Sequence, residues 1–146
     1  MNLILKELEK SSKYNDFIKN LENKKSPIAI SGLTGVAEAS IIAKCLEQTK
    51  RPVLIITYNE IQAQALVNDL KFFTEDVAYL PKKEIITYDY VAESKNLPYE
   101  RIETLNKIYK KQKIIIVTSV ETIKQKIISK EALYRNVLSF KVGDRC

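Results

Sequence analysis

The sequence predicts an α/β fold, a parallel sheet flanked by helices, and three observations predict it. Short unbroken apolar runs at 28–30, 53–57, 77–80 and 114–118 read as strands buried on both faces by covering helices. Segments with apolar residues at three- and four-residue spacing separate them, the period of helices that bury one face. Gly32 and Gly35 stand where the first run passes into the first such helix, in a tight turn that needs positive φ or close backbone approach. Strand and helix in alternation argue for parallel pairing through right-handed crossovers.

Composition narrows the function classes. At 146 residues, with 45% apolar and 29% charged, the chain has the make-up of one globular domain with its own core. No apolar run approaches the roughly 20 residues of a membrane span. No basic n-region with an apolar h-region follows Met1, so no secretory signal is expected and the cytoplasm is the expected location. Cys45 and Cys146 are too few for a disulfide scaffold or a zinc site, and the lack of histidine excludes Ser-His and Cys-His nucleophiles. The net charge of +6 raises nucleic acid as a partner. It comes mostly from lysines in scattered pairs such as Lys24-Lys25, Lys82-Lys83 and Lys110-Lys111, with only Arg51, Arg101, Arg135 and Arg145 besides. Base-edge readout favours arginine, so the expectation is solvated surface lysine.

In chain order, residues 2–21 read as a helical prelude packed outside the sheet. Leu5 and Leu8 make one short face, Tyr14, Phe17, Ile18 and Leu21 a second, with Ser11-Ser12 as break or N-cap. Pro27 opens the first strand, carried by Ile28, Ala29 and Ile30. A helix over 36–49 comes next, with Val36, Ala39, Ile42, Ala43 and Leu46 near one face. Arg51-Pro52 turns the chain into the second strand, and Asn59 is the expected N-cap of a helix burying Ile61, Ala65, Leu66, Leu70 and Phe73. A third strand stops at Pro81.

The segment 81–98 is long for a connection in a compact domain and carries Tyr88, Asp89 and Tyr90. Two readings stay open: the tyrosines stack on exposed bases, or they lay their rings on the domain edge with hydroxyls to water. A helix over 99–111 turns Ile102, Leu105, Ile108 and Tyr109 inward and sets Glu103 four residues before Lys107, a favourable pair. The fourth strand is 114–118. Ser119 caps a helix burying Val120, Ile123 and Ile127, and 133–137 adds a helical turn. Leu138, Phe140 and Val142 then alternate with polar residues as a half-exposed strand.

A working phosphate loop reads G-x-x-x-x-G-K-[ST], with lysine on the phosphates and a hydroxyl on magnesium. Counting from Gly32, the second glycine falls on Ala37, the lysine on Glu38 and the hydroxyl on Ala39. Shifting the frame by one brings Ser40 to the hydroxyl position but supplies no lysine. A carboxylate facing polyphosphate in a low-dielectric cradle costs on the order of several kcal/mol. These residues predict no ATP binding here, and taken alone the two glycines read as a plain strand-to-helix turn.

As an ordered set, SGLTGVAEAS, VLIITYNEIQAQALVNDLKFF, YLPKKEIITYDY, LPYERIETLNKIY and IIIVTSVETIKQKI resemble the N-terminal, UvrB-like region of bacterial transcription-repair coupling factors, over about residues 26–144. The resemblance implies a RecA-like domain of the P-loop-NTPase kind over 26–137, after a helical extension over 1–25. Over 138–146 it implies the start of a following β-containing domain. In UvrB the loop keeps its lysine and hydroxyl and binds ATP; in the coupling factors it is degenerate, as at Ala37, Glu38 and Ala39 here. The resemblance thus implies a chain with no catalytic residue, metal or cofactor of its own, a scaffold in a large DNA translocase whose ATP and magnesium belong to a distant motor. The implied partners of that whole protein are stalled RNA polymerase and UvrA, the UvrA surface lying mostly beyond this chain, which docks on its parent's other domains. Tyr88, Tyr90 and Arg101 fall near the place of UvrB's DNA-clamping hairpin and are the candidate contacts to DNA or a partner. Two other readings stand beside this one: a helicase half that binds nucleotide despite Glu38, and a stand-alone flavodoxin-like domain with a ligand near Gly32 and Tyr58.

Overall fold

The computed structural model describes residues 9–83 and 96–136. A three-stranded parallel sheet forms from β1 (Val53–Thr57), β2 (Val77–Leu80) and β3 (Ile115–Ser119), in the order β1-β3-β2. The described helices are α1 (Ser12–Glu22), α2 (Val36–Thr49), α3 (Glu60–Lys71), α4 (Asn96–Tyr109), α5 (Val120–Ile123) and α6 (Lys130–Asn136). Val53 and Val77 both lie opposite Ile115, so β3 is central, and every residue of its IIVTS run is buried. That run matches the near-continuous apolar sequence a strand needs when both of its faces are covered.

Two apolar layers hold the sheet. On one face Val77, Tyr79, Ile115 and Val117 pack with Ala39 and Leu46 of α2 and with Ala63, Leu66, Val67 and Leu70 of α3. On the other, Ala78, Leu80, Ile114 and Ile116 pack with Leu105 of α4 and Leu133 of α6. The expected ion pair on α4 is present, Lys107 Nζ to Glu103 Oε1 at 2.6 Å. The N-terminal helix docks on a helix rather than on the sheet. Tyr14 and Ile18 of α1 pack on Cys45 of α2, Tyr14 OH donates to Gln48 Oε1 at 2.8 Å, and buried Lys44 pairs with Glu9 at 2.7 Å and Glu47 at 2.9 Å.

Several expectations need correction. Residues 28–30 form no strand: Ala29 is exposed and Ile30 is 49% exposed. An apolar run becomes a strand only where a neighbour takes its N–H and C=O groups, and among the described residues the order β1-β3-β2 brings none to it. On α3 the buried residues are Ala63, Leu66, Val67 and Leu70, while Ile61 is 79% exposed and Ala65 is also exposed. At about 100° per residue, positions two away from Ala63 point to the opposite side. Ile102 of α4 is exposed, Thr104 and Leu105 being the buried pair. The helix after Ser119 ends at Ile123, so Val120, Ile123 and Ile127 make no buried stripe; Thr122 is the residue turned inward. Leu5, Leu8, Leu138, Phe140 and Val142 lie outside the described residues. Among those described, no helix is long and apolar enough to cross a membrane.

Candidate functional site: a glycine turn and a sealed strand rim

Gly32 (φ +79°) and Gly35 (φ +53°) both take left-handed backbone. A Cβ on either would meet nothing within 4 Å, so conformation rather than close packing calls for glycine. Gly35 is the N-cap of α2, and Glu38 in the first turn places its own carboxylate at the helix's positive end. Ala39 is fully buried in the core, so the position where a hydroxyl would reach magnesium faces the hydrophobic layer. Ser40 is equally buried and donates its hydroxyl to Ala37 O at 2.8 Å. Between the turn, β1 and α3 lies a groove of about 370 Å³ whose charged lining residues are Glu38 and Asp69. A polyphosphate there would face carboxylates and no cation; unit like charges 4 Å apart repel by about 4 kcal/mol at a near-surface dielectric.

The carboxyl ends of the strands, where open parallel sheets place ligands, are closed by side chains. Glu60, the first residue of α3, carries the closure. Its Oε1 accepts from Ser119 Oγ and, at 3.0 Å, from Thr122 Oγ1; its Oε2 accepts from Tyr79 OH and, at 3.3 Å, from Lys82 N. Burial pushes this carboxyl up, but the four donors outweigh burial and hold it below its ordinary value. With four donors on its acceptor sites, the carboxylate is a tie between strand ends. Burial and Glu60 together push the Tyr79 hydroxyl well above its usual range. Threonines finish the rim: Thr118 Oγ1 donates to Leu80 O at 2.8 Å and Thr104 Oγ1 to Tyr79 O at 2.7 Å. Thr57 Oγ1 is shared between Asn59 O at 2.8 Å and Thr118 O at 3.2 Å. Among the described residues no buried side-chain nitrogen or oxygen lacks a partner.

The expected caps are in place, Asn59 Oδ1 accepting from Gln62 N at 2.8 Å and Ser119 Oγ from Thr122 N at 3.3 Å. Gly32, Gly35, Ala37, Glu38 and Ala39 gather at one turn, but Arg101 lies apart on α4, where its Nη1 donates to Pro81 O. Burial draws that guanidinium down, against the pull of Glu60, and the hydrogen bond to Pro81 O ties α4 to the described segment after β2. Tyr88 and Tyr90 lie outside the described residues. Burial pushes the Cys45 thiol up to about 11, which makes it a poor nucleophile. Among the described residues no group of three His, Cys, Asp or Glu side chains could hold a metal. The Glu60 cluster escaped sequence reading, although Ser119, a hydroxyl residue directly after an apolar run, is its visible trace.

No family model matches the chain. The Bacillus subtilis (strain 168) transcription-repair-coupling factor is 25% identical over 138 residues, 93% of this chain and 12% of its own length. The factors of Staphylococcus aureus strains bovine RF122 / ET3-1 and USA300 are 28% and 27% identical over 117 residues, 79% of this chain and 10% of their own length. The chain resembles the transcription-repair-coupling factors. It spans about a tenth of the length of these relatives. A match covering 93% of the chain takes in both the Gly32–Gly35 turn and the Glu60 cluster, so both belong to the part shared with a coupling factor.

Proposed function

We propose that this chain is a non-catalytic scaffold module of a transcription-repair-coupling assembly, with its phosphate-type turn retired from nucleotide binding. The observation that carries the reading is the groove beside the turn, where Glu38 and Asp69 stand and no cation does, with Ala39 turned into the core. The whole protein to which the module corresponds is, in this reading, an ATP-driven DNA translocase. It meets stalled RNA polymerase and UvrA largely through surfaces outside the matched region, and its ATP and magnesium act elsewhere. Exposed Leu54 and Ile56 on β1 support docking against further polypeptide.

Calorimetric titration with ATP and ADP in the presence of magnesium tests this, on the chain itself and on a Glu38→Lys variant. No heat from the natural chain is the expected result. Micromolar binding by the natural chain overturns the proposal and favours a nucleotide-binding helicase half. Binding by the variant alone supports it, because the turn then keeps its shape and only its side chains have lapsed.

A further inference from the structure

The links α2–β1 and α4–β3 enter adjacent strands, since Val53 lies opposite Ile115 and its N–H donates to Ile114 O at 3.1 Å. Together they gather Lys50, Arg51, Lys110, Lys111 and Lys113 at the amino end of the sheet, the end away from both the glycine turn and the Glu60 cluster. All five are exposed, and none enters an ion pair among the described residues. Lys50 and Lys113 line one cavity of about 300 Å³ together with Phe73. The ring of Phe72, 72% exposed, meets Phe73 edge-on at 5.5 Å. Glu47 and Asp76 also border the cavity; Glu47 is paired with Lys44 at 2.9 Å, while exposed Glu75 and Asp76 reach this end on the link that carries Phe72, since Val77 also lies opposite Ile115. Five cations unpaired among the described residues therefore share this end of the sheet with an exposed aromatic ring and with the carboxylates of Glu75 and Asp76.

Among the described residues three lysines take positive φ, Lys24 after α1 and, at this end of the sheet, Lys50 and Lys111. Lys50 (φ +52°) and Lys111 (φ +55°) occupy left-handed positions at the ends of α2 and α4, where glycine is the easy residue and a side chain costs about 1–2 kcal/mol. Lysine stands at both despite that cost.

We propose that the amino end of the sheet is a sequence-independent contact for single-stranded nucleic acid, the five cations on phosphates and Phe72 stacked on a base. Lysine acts as a point charge on phosphate, whereas bidentate grip on the carboxylates of an acidic protein favours arginine, and four of the five cations are lysine. An exposed ring at the same end of the sheet serves a base and not a carboxylate.

The test is fluorescence anisotropy of the whole 146-residue chain with labelled oligothymidylate, and with oligouridylate, across about 50 to 200 mM salt. Binding should weaken steeply with salt and be comparable for the two strands, since phosphates and base faces are common to both. Lys50→Gly/Lys111→Gly removes two cations while relieving the left-handed backbone. It should melt higher yet bind at least about fivefold more weakly, with the log–log salt slope shallower by about 1.4. Stability and affinity then move in opposite directions, which unfolding cannot produce. Phe72→Ala should weaken binding about fivefold or more at unchanged slope. Lys13→Gln/Lys126→Gln, of the same net charge, should bind as the natural chain does. The proposal falls if no binding occurs at low salt, if the control weakens as much as the glycine pair, or if Phe72→Ala is silent. It falls equally if polyglutamate competes as well as the oligonucleotide, which would mark an acidic protein as the partner.

Discussion

Glu60 gathers four donors on one carboxylate, so small changes there have large effects. Glu60→Gln places an amide N–H₂ among groups that already donate, and it should cost about 1.5–3 kcal/mol in urea unfolding. The pH dependence comes from the direction of the shift. The folded carboxyl lies below its ordinary 4.5, so its contribution is fully present above that value and is lost as pH falls through the lowered folded value. The natural chain should lose stability over that window below pH 4.5 more steeply than Glu60→Gln; identical acid limbs would refute the assignment. The helix cap beside it was legible, because Asn59 directly precedes an apolar helical pattern and acts within three residues. Glu60's partners were not, since Tyr79, Ser119 and Thr122 stand 19, 59 and 62 residues away and meet it only through the strand order.

Helix ends show what local sequence can and cannot specify. The span of α2 follows from its periodicity and the preceding glycine, and Val36–Thr49 is where the pattern put it. Which face of a helix is buried depends on its neighbours, so α3 turned Ile61 outward although its spacing fitted a core stripe. Left-handed termini are equally hidden when lysine replaces the usual glycine. After α1, Lys24 (φ +57°) sits between an N–H bond of its own to Leu21 O at 3.1 Å and one from Lys25 to Asn20 O at 3.0 Å, the closing pattern of a helix end. Lys24→Gly should therefore stabilise the chain by about 0.5–1 kcal/mol, seen as a higher urea midpoint at unchanged slope. A lower midpoint would mean that the lysine stem or charge outweighs its backbone strain. At α1's other end the tie is electrostatic: hydrogen bonding to Glu9 raises the Lys44 ammonium above its usual range against the opposing effect of burial.

For the molecule as a whole, the alternation of apolar runs and helical periods gave the α/β class and the parallel pairing, but not the number of paired strands. Residues 28–30 have the composition of a strand and, among the described residues, no strand neighbour to bond, a fact of strand order that no local pattern contains. Among the described residues the same order leaves β1 at an edge. Its Leu54 and Ile56 are 56% and 53% exposed, although Leu54 stands beside well-buried Ile116 in the register. An edge strand with bare apolar side chains invites pairing with other chains. Leu54→Thr/Ile56→Thr should leave thermal stability nearly unchanged and lower self-association in light scattering after gel filtration; a large fall in melting temperature would show that these side chains are buried in solution.

The central position of β3 also governs how the sheet comes into being. β1 and β2 share no ladder with each other, and both precede their common partner in the chain. While the chain is being synthesised, no strand-to-strand hydrogen bond of this sheet exists until Ile115–Ser119 has left the ribosome. Until then the early strands have only helices to lean on, α2 and α3 on one face and α4 on the other, and two long loops must close together when β3 slots between them.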